Sequence, residues 1–304
     1  MSAPGVVMGV DSSTQSCKVE LRDSATGALL ATGRAPHPVA IGPRSEQEPT
    51  EWWAALRIAL STALSNAGMD GCDVAAVSIA AQCHGLVALG AADEVLRPAK
   101  LWNDTTSTAA LGRLREFIDA PTWARRTGSV PTAAFTIAKI AWLAQHEPHN
   151  LRALRTILLP HDYLTFRLTG ERVTDRSEAS GTGYYDASAH GGRGAYVPDL
   201  LELIDPDKDW GSLLPHVLGP SEAAGRILPA VAEELGLRPN TVVAAGGGDQ
   251  HAAALGLGVE PGDVTFSLGT SGVVFTPSTT PVHDEAGIVD GVADMTGGYL
   301  PLVS

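Results

Sequence analysis

The stretch AAGGGDQHAAALGLG, residues 244–258, places three glycines directly before an aspartate and then a run of small apolar residues. The apolar residues before it are typical of a strand, and the Ala- and Leu-rich run after it is typical of a helix. Asp249 therefore stands at a strand-to-helix turn. It can act as a helix N-cap, with the glycines serving only the turn. It can also present its carboxylate to a ligand, and this stretch alone leaves both readings open.

Strands and helices alternate along the rest of the chain, which indicates an α/β fold. VVMGVD, CKVEL and ALLATGRAP read as strands, with the polar turn SSTQS between the first two. Residues 50–68 predict an amphipathic helix that Thr50 and Glu51 begin and Gly68 ends, and VAAVSIAAQ follows as a buried strand. LRPAKLWND is read as a further short strand.

Three later segments complete this reading. Residues 174–194, rich in Gly, Ser and charge, are predicted to loop over the surface, and residues 221–236 are predicted to form a helix. DVTFSLGTSGVVFTP repeats the strand, hydroxyl-rich turn and strand of the N-terminal hairpin. Two such hairpins indicate two related lobes that present N–H groups and hydroxyls to phosphates, although two unrelated hairpins would look the same.

Composition excludes several classes of partner. The net charge of −13 argues against nucleic acid and against an anionic membrane surface. The sequence has no run of 18 apolar residues, and its N-terminus lacks the basic leader of a signal peptide. The three cysteines share no metal-type spacing and read as reduced thiols. We therefore expect a cytoplasmic protein.

Short polar clusters stand at the ends of the predicted strands. Because ligands of α/β proteins bind at the carboxyl ends of strands, these clusters are expected to meet in one cleft. Amides, an imidazole and carboxylates can hydrogen-bond hydroxyls, an indole can pack against a carbon skeleton, and no basic cluster is present for an anionic sugar. This chemistry indicates a neutral polyol. The clusters are Asp11 to Thr14, Gln82 to His84, Trp102 to Asp104, and Asp249 with Gln250.

The chain resembles the FGGY carbohydrate kinases from Gly9 to about Thr276. Seven segments carry the resemblance in family order: GVDSSTQSCKV, RSEQEPTEWW, AAQCHGLVAL, LRPAKLWNDTTS, ILLPHDYLTFRLTGE, AGGGDQHAAALGLG and FSLGTSGVVF. The resemblance implies a two-lobed fold of the actin and hexokinase type (ribonuclease H-like), each lobe having a mixed sheet with helices on both faces. Residues 1–258 would form the N-terminal sugar-binding lobe and residues 259–304 the beginning of the nucleotide-binding lobe.

The resemblance also implies phosphorylation of D-xylulose at its 5-hydroxyl with ATP and Mg²⁺. Asp249 would be the general base, and Asp11 would lie near the magnesium ion. The residues implied for the phosphates are Asp11, Ser12, Ser13, Thr14, Gly269, Thr270 and Ser271. The residues implied for the sugar are Gln82, Cys83, His84, Trp102, Asn103, Asp104, Asp249 and Gln250. As a helix cap, Asp249 is expected to have a lowered pKa that keeps it ionised near neutral pH.

Two departures from the family leave alternatives open. Family members often have methionine where Cys83 stands and asparagine where Gln250 stands, so another ketose or a polyol can be the substrate. Family members also have a complete second lobe, whereas this chain stops soon after its first hairpin, which predicts a C-terminal truncation. A sugar-binding remnant without turnover is then the alternative, and residues after about 260 are expected to have low local stability. We expect no nucleic acid or membrane partner, and a homodimer is compatible with the sequence.

Overall fold

The computed structural model describes residues 5–39, 42–268 and 272–304. In chain order the strands are β1 (Val6–Ser12), β2 (Ser16–Asp23), β3 (Leu29–Pro36), β4 (Glu46–Gln47), β5 (Val74–Ala81), β6 (Val87–Leu89), β7 (Ala99–Lys100), β8 (Thr156–Leu158), β9 (Val173–Asp175), β10 (Tyr185–Asp186), β11 (Ala195–Tyr196), β12 (His216–Leu218), β13 (Ala223–Arg226), β14 (Val242–Ala244), β15 (Gly247–Gly248), β16 (Thr265–Leu268), β17 (Gly272–Phe275) and β18 (Leu302–Val303). The α-helices are α1 (Pro49–Ala67), α2 (Thr108–Leu114), α3 (Ala120–Thr127), α4 (Thr136–His146), α5 (Pro148–Ala153), α6 (Pro160–Thr169), α7 (Arg176–Ala179), α8 (Ala189–Gly192), α9 (Asp199–Glu202), α10 (Pro229–Leu235) and α11 (Asp249–Leu257).

A mixed seven-stranded sheet forms the centre of the molecule, with the order β13-β14-β5-β1-β2-β3 and with β15 paired to β5. Strands β1, β2 and β3 are antiparallel neighbours, whereas β14 and β15 run parallel to β5 and β5 runs parallel to β1. In this register Ser12 and Gly248 both lie beside Ala81. The carboxyl ends of β1, β5 and β15 therefore meet at one edge, and the polar residues that follow them are brought together. The mixed α/β fold predicted from the sequence is confirmed.

Helix α1 covers β2 and β3 and also contacts α6 and α10. Pro49 occupies its first turn, and Gly68 ends it in the left-handed conformation at a φ of 61°. Its buried side chains face one core that also contains the inward residues of β1, β2 and β5. Trp52 packs edge-on against Tyr163 of α6 within this core. The predicted amphipathic helix is confirmed, although it begins at Pro49 rather than at Thr50.

Two segments differ from the sequence prediction. The predicted surface loop at 174–194 is wrong, because residues 173–185 are buried and contain β9, α7 and the start of β10. Asp175 begins α7 by accepting hydrogen bonds from the Ser177 and Glu178 backbone N–H groups. The single helix predicted at 221–236 is also wrong. Its first part pairs as edge strand β13, and Pro229, which fits the first turn of a helix, begins the shorter α10.

LRPAKLWND forms a strand only at Ala99–Lys100, where β7 pairs with β4. The residues that follow it, 102–103, lie in a turn. The polar end of this segment is therefore carried on irregular backbone rather than on a strand.

The last described segment, residues 272–304, returns to the first part of the chain. Strands β16, β17 and β18 form a small sheet, and Phe275, Val292 and Leu300 pack with Ala254 of α11. A backbone hydrogen bond joins the segment to the end of α3, where the Gly291 N–H donates to the Gly128 carbonyl (3.1 Å). This packing predicts slower amide exchange for these residues than the low stability expected after about residue 260, which stays a prediction. Among the described residues, no helix is long and apolar enough to cross a membrane.

Candidate active site

The three glycines before Asp249 fit close against other parts of the protein. Gly246 has a φ of 79°, and a Cβ there would strike the Ile79 carbonyl oxygen. A Cβ on Gly248 would lie 2.6 Å from Cys83 Sγ and 2.7 Å from His251 Nδ1, and would also strike the Glu178 carboxylate. Such approaches are shorter than van der Waals contact, so the site requires glycine for packing as well as for the turn.

Asp249 is the first residue of α11, and the residue in the N-cap position is Gly248. Its Oδ1 accepts a hydrogen bond from the backbone N–H of Gln250 (2.8 Å) and lies 3.4 Å from the Cys83 thiol, which donates to it. Burial, together with the charges of Glu178 and Asp11, raises the pKa of Asp249 to about 6. The lowered pKa expected from a capping role is therefore wrong, because desolvation outweighs the hydrogen bonds.

His84 is held by a buried carboxylate that sequence reasoning missed. Its backbone N–H donates to Glu178 Oε1, and its Nδ1 lies 2.9 Å from the same oxygen. The imidazole stacks on Phe135 at 5.2 Å between ring centroids. The backbone of His84 has a φ of 60°, an uncommon conformation for a residue with a side chain, and such conformations concentrate at functional sites. His84 is therefore fixed in both backbone and ring orientation.

The charge of Glu178 is maintained by its neighbours. Burial disfavours ionisation of this fully buried carboxyl, but the charge and hydrogen bond of His84 and the charge of His251 outweigh burial and lower the pKa of Glu178 to about 2. Burial and the charges of Glu178 and Asp249 raise the pKa of the Cys83 thiol well above its usual value. Cys83 therefore stays protonated, which lets it donate to Asp249.

These groups open onto a cavity of about 320 Å³. One wall comes from strand ends and the first turn of α11, another from the loop before α4, and a third from residues 287–292 and the C-terminal strand. The predicted site residues that line it are Thr14, Cys83, His84, Trp102, Asp249 and Gln250. Its size and its mixture of aromatic, amide and carboxylate groups suit a small hydroxylated ligand.

The β1–β2 turn lies at the edge of this site. Ser13 Oγ donates to Asp11, and Trp102 Nε1 donates to Thr14 Oγ1 (3.0 Å). The Thr14 carbonyl accepts from Gln47 Nε2 (2.8 Å), while the Ser13 carbonyl lies 2.9 Å from His37 Nδ1. Within the part of the chain that the structure describes, the backbone N–H groups of residues 13–15 donate to no protein atom. Such a turn can hold an anion, and its hydroxyl and carboxylate oxygens suit Mg²⁺.

Three predicted sugar residues do not line the cavity. Gln82 is buried and donates to Gln47 Oε1 (3.1 Å). The buried Asp104 pairs with Lys100 Nζ (3.0 Å) and accepts from the Ser45 backbone N–H (3.0 Å), so its carboxylate holds neighbouring chain segments together. Asn103 is exposed outside the lining. Asp11 and the buried Ser12 are also outside the lining, and the predicted phosphate residues Gly269, Thr270 and Ser271 lie outside the described residues.

Cys83, His84 and Glu178 place one donor atom each within 4.8 Å of one another. These donors are already used, because the thiol donates to Asp249 and the imidazole nitrogen faces the carboxylate. We therefore read the three as a hydrogen-bonded support of the cavity rather than as metal ligands.

One signal for Glu178 was present in the sequence. Asp175 and Glu178 have the spacing of a capping box, which indicates the start of a helix rather than a loop. The Gly and Ser residues around them favoured the interpretation as a loop, but in the structure these small residues allow close packing. A Cβ on Gly181, for example, would strike the His84 ring. Phe135, His251 and Asp290 also line the cavity and were not predicted, and they carry no comparable signal.

Comparison with known proteins identifies the family. The sequence pattern of the N-terminal domain of the FGGY family of carbohydrate kinases matches residues 6–256. The chain belongs to the FGGY family of carbohydrate kinases.

Relatives of this FGGY chain include bacterial xylulose kinases. It is 47% identical over 298 residues to the xylulose kinase of Streptomyces coelicolor, covering 98% of this chain and 59% of that relative. It is 36% identical to the xylulose kinase of Escherichia coli, covering 89% of this chain and 54% of that relative. The crystal structure of xylulose kinase from Bifidobacterium adolescentis superposes with a TM-score of 0.87 at 38% identity, covering 99% of this chain and 65% of that one. The FGGY chain thus spans somewhat more than half the length of these curated relatives.

Proposed function

We propose that this protein is the sugar-binding part of a kinase that phosphorylates D-xylulose at its 5-hydroxyl with magnesium-ATP. The observation that carries the proposal is the meeting of Asp249, Cys83 and His84 in one cavity of an FGGY chain that is 47% identical to a xylulose kinase. In this proposal residues 1–258 are the sugar-binding lobe, and residues 259–304 begin the nucleotide-binding lobe.

Asp249 acts as the general base. With a pKa of about 6 it is mostly ionised at neutral pH, yet it is basic enough to accept a proton from the attacking hydroxyl. The Cys83 thiol donates to Oδ1, which leaves Oδ2 for the sugar. The proton of the 5-hydroxyl would move to this carboxylate as the hydroxyl oxygen forms its bond to the γ-phosphorus of ATP, and the bond from that phosphorus to the ADP oxygen would break, with ADP leaving.

The sugar is bound by neutral groups and carboxylates. His84 uses Nδ1 for Glu178, so its Nε2 is the nitrogen that can meet a hydroxyl. The Gln250 amide supplies a further partner, because its Oε1 is buried without a hydrogen bond in the described part of the chain. Trp102, whose indole N–H is used by Thr14, offers its ring face to the carbon skeleton. These contacts favour a neutral ketose over an anionic sugar.

The β1–β2 turn holds the phosphates. Its backbone N–H groups and the hydroxyls of Ser13 and Thr14 would bind phosphate oxygens, and Asp11, which accepts from Ser13, would hold the metal ion, with Ser12 supporting the turn. Magnesium-ATP supplies the phosphoryl group and neutralises the charge that develops on it. Gly269, Thr270 and Ser271 are proposed for the second phosphate turn on the resemblance alone.

Calorimetry with the chain and turnover by a chimera test this function. The chain is titrated with D-xylulose, and ATP-dependent phosphorylation is measured in a chimera that adds the unmatched remainder of the Streptomyces coelicolor relative. We expect sugar binding by the chain and phosphorylation by the chimera. Asp249→Asn should lower kcat by about 10²- to 10⁴-fold, as loss of a general base does. Asp207→Asn, at an exposed loop position, is the matched control.

Absence of both sugar binding and turnover would overturn the proposal. Undiminished turnover in Asp249→Asn would remove Asp249 from the role of base while leaving the substrate assignment in place.

A further inference from the structure

We propose that Asp290 is a substrate-recognition residue, whose carboxylate accepts hydrogen bonds from the hydroxyl-bearing end of the sugar opposite the phosphorylated hydroxyl. The inference rests on the proposed function, because it assigns one contact within the same cavity. Asp290 lies outside the matched family domain, which ends at residue 256, and it lines the cavity together with Asp249 and His84.

The backbone holds Asp290 firmly in the cavity wall. Its N–H donates to the Leu302 carbonyl (2.8 Å), and the Leu302 N–H donates back to its carbonyl (3.0 Å). The next residue, Gly291, donates to the Gly128 carbonyl, and a Cβ on Gly291 would strike the Val282 carbonyl oxygen. Val292 and Leu300 then enter a small core with Phe275. The position of Asp290 is therefore set by neighbours on both sides.

Within residues 5–39, 42–268 and 272–304, no Lys or Arg makes a salt bridge with the Asp290 side chain. Burial raises its pKa to about 6, and the charge of His84 and the Ser129 hydroxyl oppose this rise only in part. A partly buried carboxylate is unfavourable unless it is hydrogen-bonded. Ligand hydroxyls that reach the cavity would satisfy it.

Asp249 and Asp290 stand on separate walls. Ser12 at the end of β1 and Gly248 at the end of β15 both lie beside Ala81, whereas Asp290 belongs to the wall formed by residues 287–292. The β1–β2 turn is proposed for the phosphates, so Asp249, which follows Gly248, marks the end of the cavity where the 5-hydroxyl reacts. Asp290 is then placed to contact the other end of a ketopentose, which carries the 1-hydroxyl.

Calorimetry on the full chain with D-xylulose and 1-deoxy-D-xylulose tests the assignment. Wild type should bind D-xylulose more tightly, and Asp290→Ala should weaken D-xylulose binding by about 10- to 100-fold, the value of a hydrogen bond to a charged group. The same variant should leave 1-deoxy-D-xylulose binding nearly unchanged. Asp290→Asn, which keeps the shape, should show a smaller loss and a melting temperature no lower than wild type. Glu285→Ala, at an exposed carboxylate of the same segment that pairs with Arg125, is the control.

Four outcomes decide the matter. Loss of D-xylulose binding without loss of 1-deoxy-D-xylulose binding supports the assignment. Equal losses for both sugars indicate a structural role and overturn it. Unchanged D-xylulose binding in both Asp290 variants also overturns it, while leaving the proposed function intact. No binding of either sugar by wild type overturns the proposed function together with this inference.

Discussion

Replacing Glu178 by glutamine would separate the charge of this carboxylate from its shape. The side chain is fully buried, it accepts from the His84 backbone, and its Oε2 lies 4.0 Å from His251 Nδ1. Glutamine has the same size, so the substitution opens no cavity. What it removes is the negative charge that faces two histidines of the cavity lining.

The magnitude follows from the pKa of Glu178. A lowering from the usual 4.5 to about 2 corresponds, at about 1.4 kcal/mol per pH unit, to roughly 3 kcal/mol in favour of the folded state at neutral pH. Because the folded-state pKa is the lower one, this stabilisation is present above pH 5 and is lost as the pH falls from about 5 toward 2. Glu178→Gln should therefore lower the free energy of unfolding by about 2–3 kcal/mol at pH 7 and by clearly less at pH 3.

Urea denaturation followed by tryptophan fluorescence at several pH values measures this difference. Glu233→Gln, at an exposed position of α10, should change stability by less than about 0.5 kcal/mol and serves as the control. Calorimetry should also show weaker D-xylulose binding in Glu178→Gln, because His84 loses its orientation. Equal stability of Glu178→Gln and wild type at pH 7, or a deficit that does not shrink in acid, would refute this reasoning.

Three further predictions concern the same site and the last segment of the chain. The kcat/KM of the chimera should fall as the pH drops through about 6, because Asp249 then becomes protonated and cannot accept the hydroxyl proton. A kcat/KM that stays constant from pH 5 to 7 would contradict the role of Asp249 as general base. Gly248→Ala should lower the free energy of unfolding, measured by urea denaturation, by about 1–3 kcal/mol because the added Cβ strikes Cys83 and Glu178. The control Gly256→Ala, whose Cβ meets nothing within 4 Å, should leave stability unchanged or raise it slightly. Unchanged stability of Gly248→Ala would contradict the close packing of this glycine. The Ala293 N–H donates to Ser180 Oγ and the Leu300 N–H donates to the Val292 carbonyl. In hydrogen exchange, these two N–H groups should therefore exchange more slowly than those of the exposed strand β16. Equally fast exchange throughout residues 260–304 would instead support low stability of the whole segment.

Much of the fold could be predicted from the sequence because its signals are local. The alternation of apolar residues in β1 and β2, the apolar face of α1 and the glycine that ends it each act within a few residues. The Gly-Gly-Gly-Asp turn likewise announced a strand end followed by a helix. The predictions failed where composition was used alone, as at residues 174–194, since small and charged residues serve a packed interior as readily as a surface loop.

The residues of the site likewise fall into those that the sequence indicated and those that only the tertiary structure revealed. The sequence by itself determined which strand ends carry polar groups, and parallel pairing of β1, β5 and β15 brings Thr14, His84 and Asp249 to one cavity. Only the tertiary structure decided that Asp104 is paired with Lys100 away from the cavity, that Glu178 holds the cavity residue His84, and that Asp290 lines the cavity. It also reversed the pKa shift of Asp249, from the lowering expected of a helix cap to a rise caused by burial beside other carboxylates. Glu178 and Asp249 each take a partner, His84 and Cys83 respectively, that lies more than 90 residues away along the chain, and no local pattern encodes these contacts.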